Sequence, residues 1–144
     1  MLNILFLCTG NSCRSQMAEG WTKYLKSAEI QAYSAGVEAH GKNPLAIQAM
    51  KEAGVDISAQ KSKTTEQLPA DVVFDYVITV CGHAHERCPY FPAGTKVIHV
   101  GFQDPPYLAK EAATKEEALV HYRKVRDDIK TFVEKMPQNL SEFS

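Results

Sequence analysis

The sequence predicts an α/β fold, a parallel sheet covered by helices on both faces. Strand-like runs alternate along the chain with helical periodicities, the order that builds a parallel sheet through crossovers. The first run, Asn3 to Cys8, is continuously apolar, as expected of a strand buried on both faces. No internal repeat, low-complexity tract or linker interrupts the 144 residues, so a single domain over 1–144 is expected.

Each element has a local reason. After the first strand and a polar loop, Met17, Trp21, Tyr24, Leu25 and Ala28 fall on one helical face. Ile30 to Ser34 reads as a second strand, ended by Ala35-Gly36. A helix then starts at Pro44, with Asn43 as N-cap and Gly54 as stop. Tyr76 to Val80 is a third strand leading to Cys81, and Lys96 to Val100 is a fourth. In the last helix Thr114 and Glu117 form a capping box. Ala118, Tyr122, Val125, Ile129, Phe132 and Met136 make its packing stripe, and Pro137 marks its end.

Composition narrows the function classes. Apolar residues are 44% and charged residues 23%, with a formal net charge of −1. Neither a nucleic-acid nor a membrane partner is expected from that balance. No run approaches the ~20 apolar residues of a spanning helix, and the first seven residues are too short for a signal peptide. The chain reads as a cytoplasmic protein and is expected to be a monomer. Four cysteines in such a chain point to catalysis, redox chemistry or metal binding rather than to structural disulfides.

Ligands of parallel sheets bind beyond the carboxyl ends of the strands. Cys8 ends the first strand and Cys81 follows the third, so both thiols are expected on one sheet edge. From Cys8 the pattern is Cys-x5-Arg-Ser, leading into a helix. The backbone N–H groups of Thr9, Gly10, Asn11, Ser12 and Cys13 can converge on an anion, and the helix N-terminus adds positive potential. Gly10 and Asn11 tolerate positive φ. Arg14 can offer a planar fork to two oxygens of a tetrahedral oxyanion. The same field would lower the Cys8 pKa, and Ser15 could donate to its sulfur. The loop supplies a nucleophile facing a bound oxyanion.

Cys8-Thr9-Gly10-Asn11-Ser12-Cys13-Arg14-Ser15, followed by Met17-Ala18-Glu19, resembles the signature of the low-molecular-weight protein tyrosine phosphatase superfamily. The resemblance implies a flavodoxin-like fold of four parallel strands, with Cys8 as nucleophile, Arg14 as ligand clamp and Ser15 as thiolate support.

A second cluster, "VCGHAHERCPYFP", holds Cys81 and Cys88 seven apart. With His83 and His85 it could be a zinc site, although its compact spacing is unusual for one. The two cysteines could also be incidental, or a redox pair working with Cys8. Seven residues along a helix place Cα atoms about 10 Å apart, beyond the roughly 7 Å a disulfide spans. A Cys81–Cys88 bond therefore requires a helix there to unwind, which Gly82 and Pro89 favour.

Two cysteines after the third strand make the chain similar to the thioredoxin-coupled arsenate reductases of that superfamily. Cys-x5-Arg-Ser, Cys-x6-Cys-Pro and Gly-Phe-x-Asp-Pro occur in the right order. This resemblance implies arsenate as substrate, phosphate or sulfate as competing anions, and Asp104 as general acid, although Asp104-Pro105 also fits a plain turn. It implies a Cys8, Cys81, Cys88 thiol cascade, no tightly bound cofactor, and thioredoxin as electron donor. A phosphotyrosine phosphatase, using Cys8, Arg14 and Asp104 alone, is the alternative enzyme. A thiol or metal sensor built on Cys81, His83, His85 and Cys88 is the non-catalytic one. Some relatives hold a potassium ion with residues matching Asn11, Glu19 and Ser34. Lys63 stands where they have an acid, so no bound metal is expected and an ammonium takes the cation's place. Cys13 is either a filler of the loop floor or a protective partner of Cys8.

Overall fold

The structure is a computed structural model, and it describes residues 1–82 and 91–143. The expectations resting on His83, His85, Cys88 and Pro89 lie outside the described residues.

Four strands, β1 (Leu2–Cys8), β2 (Ile30–Gly36), β3 (Tyr76–Thr79) and β4 (Lys96–His99), form one sheet in the order β2-β1-β3-β4. Every pairing is parallel, as the alternating pattern requires. Among the described residues the helices are α1 (Arg14–Leu25), α2 (Pro44–Glu52), α3 (Pro105–Leu108) and α4 (Lys115–Glu134). Short 3-10 turns at Thr65–Gln67 and Gln138–Phe143 complete the described elements. Neither these turns nor α3 has a hydrophobic period long enough to be read from sequence.

The chain leaves β1 toward β2 on one side and then crosses to β3 on the other. Neighbouring connections therefore diverge between the ends of β1 and β3, which opens a crevice there. The register pairs Leu7 with Thr79, and Val80 N–H donates to Leu7 O at 2.9 Å. Cys8 and Cys81 are thereby carried to neighbouring positions at that crevice.

The sheet is filled by fully buried Ile4, Leu5, Leu7, Val77 and Ile78. Helix α1 packs on β1 and β2 and against α4, which also meets α2 and α3. Asn43 caps α2 as expected, its Oδ1 accepting from Leu45 N at 2.9 Å and Ala46 N at 3.4 Å. Gly54 ends it at φ 90°. Thr114 Oγ1 accepts from Glu117 N at 3.1 Å, but the reciprocal carboxylate bond goes to Ala113 N at 2.9 Å. The box is thus offset by one residue.

Two packing expectations shift. Leu119 and Val133 are buried in α4 in place of the half-buried Ala118 and Phe132, since a 3.6-residue repeat drifts off a strict 4-3 spacing. Tyr24 is 60% exposed and Ala28 lies beyond α1. The buried part of α1, Ser15 to Thr22, is instead broad and partly polar, because it carries the loop.

Candidate active site

The loop from Cys8 to Arg14 is held by an adjacent segment that runs alongside it. Val37 N–H donates to Cys8 O at 3.1 Å, Glu38 N–H to Thr9 O, His40 N–H to Gly10 O and Asn43 N–H to Ser12 O, each at 2.9 Å. These bonds satisfy the loop's carbonyls from outside. The loop runs directly into the helix start at Arg14, whose N-terminal end favours an anion.

Asn11 is the latch. It is fully buried at φ 49°, the left-handed region that asparagine tolerates better than most residues. Its Nδ2 donates to Ser15 Oγ at 2.9 Å and Ser34 Oγ at 3.0 Å, and its Oδ1 accepts from Lys63 N at 2.9 Å. Gln16 Nε2 donates to its carbonyl at 3.0 Å. Only Asn11 takes the positive φ expected at both loop positions. Gly10 leaves room for the His40 ring instead: a Cβ there would sit 2.3 Å from Nδ1 with His40 in its present position.

Ser15 is fully buried, and its hydroxyl is turned to Asn11 rather than to the Cys8 sulfur. The expected bond from Ser15 to Cys8 does not form, although a hydroxyl that accepts from Asn11 still has its own hydrogen to donate.

Cys8 is buried at the cavity floor, hydrogen-bonded to the Cys81 thiol. That bond, then burial, pushes the Cys8 thiol up, against the pull of Arg14 and the Thr9 backbone N–H. The sequence expectation of a lowered pKa omitted Cys81, whose sulfur competes for the same proton. Thr9 Oγ1 lies 3.2 Å from the Cys81 sulfur. Cys13 is also buried and is pushed up to about 12, chiefly by burial.

Arg14 Nη1 donates to Phe102 O at 2.9 Å, and Nη2 lies 3.7 Å from Asp104 Oδ1. Among the described residues, Arg14 Nε is the buried side-chain donor without a hydrogen-bond partner. A buried guanidinium donor of that kind suits an anionic oxygen. Asp104 occupies the N-cap position of α3, yet its carboxylate makes no cap bond. Pro106, at the second helical position, removes one of the two N–H donors it would cap. The carboxylate is left at the site mouth, 44% exposed.

The resulting cavity is about 260 Å³, lined by Cys8, Thr9, Gly10, Ser12, Cys13 and Arg14 from the loop. His40, Asp104 and Pro106 complete it. His40 and Pro106 are the lining residues that sequence reasoning missed, since nothing in a lone surface histidine points to a loop 30 residues earlier.

Beneath the loop, Ser34 Oγ donates to Glu19 Oε1, and Lys23 Nζ pairs with Glu19 Oε2. The ammonium paired directly with Glu19 is that of Lys23, one helical turn away, while the expected Lys63 is near enough to feel the Glu19 charge. Lys63 Nζ donates to Lys61 O at 3.2 Å.

A family model, "Low molecular weight phosphotyrosine protein phosphatase", matches residues 3–143. The arsenate reductase of Halalkalibacterium halodurans is 53% identical over 135 residues, covering 91% of this chain and 94% of its own. A solved structure described as an arsenate reductase in the phosphate binding state superposes with a TM-score of 0.70 at 32% identity, covering all of both chains. The thioredoxin-dependent arsenate reductase of Corynebacterium glutamicum matches with a TM-score of 0.69 at 25% identity, over 99% of this chain and 63% of its own.

Proposed function

The chain belongs to the low molecular weight phosphotyrosine protein phosphatase family, and we propose that within it this protein is an arsenate reductase driven by a thiol cascade. One observation carries the proposal: Cys8, which lines an oxyanion-sized cavity, is hydrogen-bonded to Cys81, 73 positions away. A phosphatase needs the first thiol alone, and the second has no task in that chemistry.

Arsenate sits in the loop against the backbone N–H groups and Arg14. Cys8 sulfur attacks arsenic, the As–O bond breaks, and Asp104 protonates the departing oxygen to give water. The Cys8 proton restores Asp104. Cys81 then attacks the Cys8 sulfur. The S–As electron pair passes to arsenic, releasing arsenite, while the two thiols become a Cys8–Cys81 disulfide and the Cys81 proton goes to arsenite. Cys88 attacks Cys81, returning Cys8 as a thiol and leaving Cys81–Cys88 oxidised. Thioredoxin reduces that disulfide. Close contact of Cys8 with Cys81 supports the second step, because exchange requires direct approach of the attacking sulfur.

Arsenate-dependent NADPH oxidation with thioredoxin and its reductase tests the whole scheme. Turnover is expected with thioredoxin. Hydrolysis of a phosphotyrosine mimic without arsenate-dependent oxidation would assign the phosphatase reaction instead.

A further inference from the structure

On the arsenate reductase reading, we propose that His40 recognises the hydroxyl of the substrate and so selects bare arsenate over ester-bearing oxyanions. Three contacts place the imidazole at the site. Its backbone N–H donates to Gly10 O at 2.9 Å. Its ring lies flat enough on the loop that a Cβ at Gly10 would meet Nδ1 at 2.3 Å and Cγ at 2.7 Å. Glu38 Oε2 holds Nε2 from outside at 2.7 Å. Glu38 is itself fixed, since its N–H donates to Thr9 O. In the tautomer that donates Nε2–H to Glu38, Nδ1 is an acceptor on the Gly10 side of the ring, beside a cavity whose other polar groups are mostly donors.

Arsenate at neutral pH carries at least one As–OH. Its ionised oxygens match the loop N–H groups and Arg14, but its hydroxyl needs an acceptor. His40 and Asp104 both stand at the mouth, with side chains 52% and 44% exposed. On this proposal the oxygen in line with Cys8 is directed to that mouth. Nδ1 accepts the hydrogen already on that oxygen while Asp104 delivers the second, so the oxygen leaves as water when the S–As bond forms. In an aryl phosphate the corresponding oxygen bears a ring and no hydrogen. It has nothing to donate to Nδ1, and its ring competes with the imidazole for the mouth.

The test compares wild type, His40→Ala and His40→Asn on two substrates, arsenate with the thioredoxin system and para-nitrophenyl phosphate. His40→Ala is expected to lower kcat/KM for arsenate about 10- to 100-fold, the range of one polar contact to a charged ligand, while para-nitrophenyl phosphate turnover holds or rises. His40→Asn, whose amide oxygen reaches near the Nδ1 position, is expected to recover most of the arsenate activity. A parallel fall on both substrates, or equal losses for Ala and Asn, would overturn the assignment and leave His40 a structural prop. Absence of arsenate reduction in the wild type is a different failure, since it removes the parent reading and this inference with it.

Discussion

The Thr9 hydroxyl and the Cys81 sulfur lie 3.2 Å apart across the junction of β1 and β3. The contact joins the oxyanion loop to the residue proposed to attack Cys8. It orients the Cys81 sulfur beside Cys8. Thr9→Val keeps the shape and removes the hydroxyl. Arsenite release in a single turnover is expected to slow about 3- to 10-fold, the scale of one neutral hydrogen bond, with arsenate affinity nearly unchanged. Thr9→Ser should recover the rate, and rapid-quench measurement of arsenite reads both.

Removing Cys81 should move the titration of Cys8. Its hydrogen bond is the largest influence raising the Cys8 thiol, while Arg14 and the Thr9 N–H pull the other way. In Cys81→Ala the pulling groups remain, so the pKa falls and Cys8 becomes thiolate at lower pH. The pH profile of Cys8 alkylation by iodoacetamide should shift to the acid side. A shift to the alkaline side would mean that Cys81 stabilises the thiolate instead.

Cys88→Ser is expected to stop after one arsenite per chain. The cascade then halts at Cys8–Cys81, which mass spectrometry of a non-reduced digest would detect. Sustained thioredoxin-driven turnover in this variant would remove Cys88 from the scheme.

Gly36 should tolerate substitution worse than Gly10. A Cβ at Gly36 would meet Glu38 O at 2.2 Å, Asn11 N at 2.7 Å and Thr9 O at 2.8 Å, all backbone. At Gly10 the clash is with the His40 side chain, which can rotate away. Gly36→Ala is expected to cost about 1–3 kcal/mol in denaturant unfolding, as overpacking does. It should also weaken phosphate binding measured by calorimetry. Gly10→Ala should fold nearly as well as wild type and show the loss chiefly in the arsenate reaction.

Sequence alone determined the parallel sheet, its four strands, the α2 and α4 helices and the anion loop. These rest on local physics: continuous apolar runs, capping residues, a Gly-Asn turn and an arginine at a helix start. It also placed Cys8 and Cys81 on one edge, because strand polarity in a parallel sheet is fixed by crossover topology. What only the tertiary structure decided concerns groups that meet across the chain. Asn11, not Gly10, takes the left-handed turn, since its amide alone can join Ser15, Ser34 and Lys63. Ser15 serves that latch. Cys81 raises the Cys8 thiol that the loop field by itself would lower. Lys23 rather than Lys63 reaches Glu19, because i,i+4 positions share a helix face. His40 enters the site through a segment 30 residues from the loop, a proximity set by backbone pairing that no sequence period records.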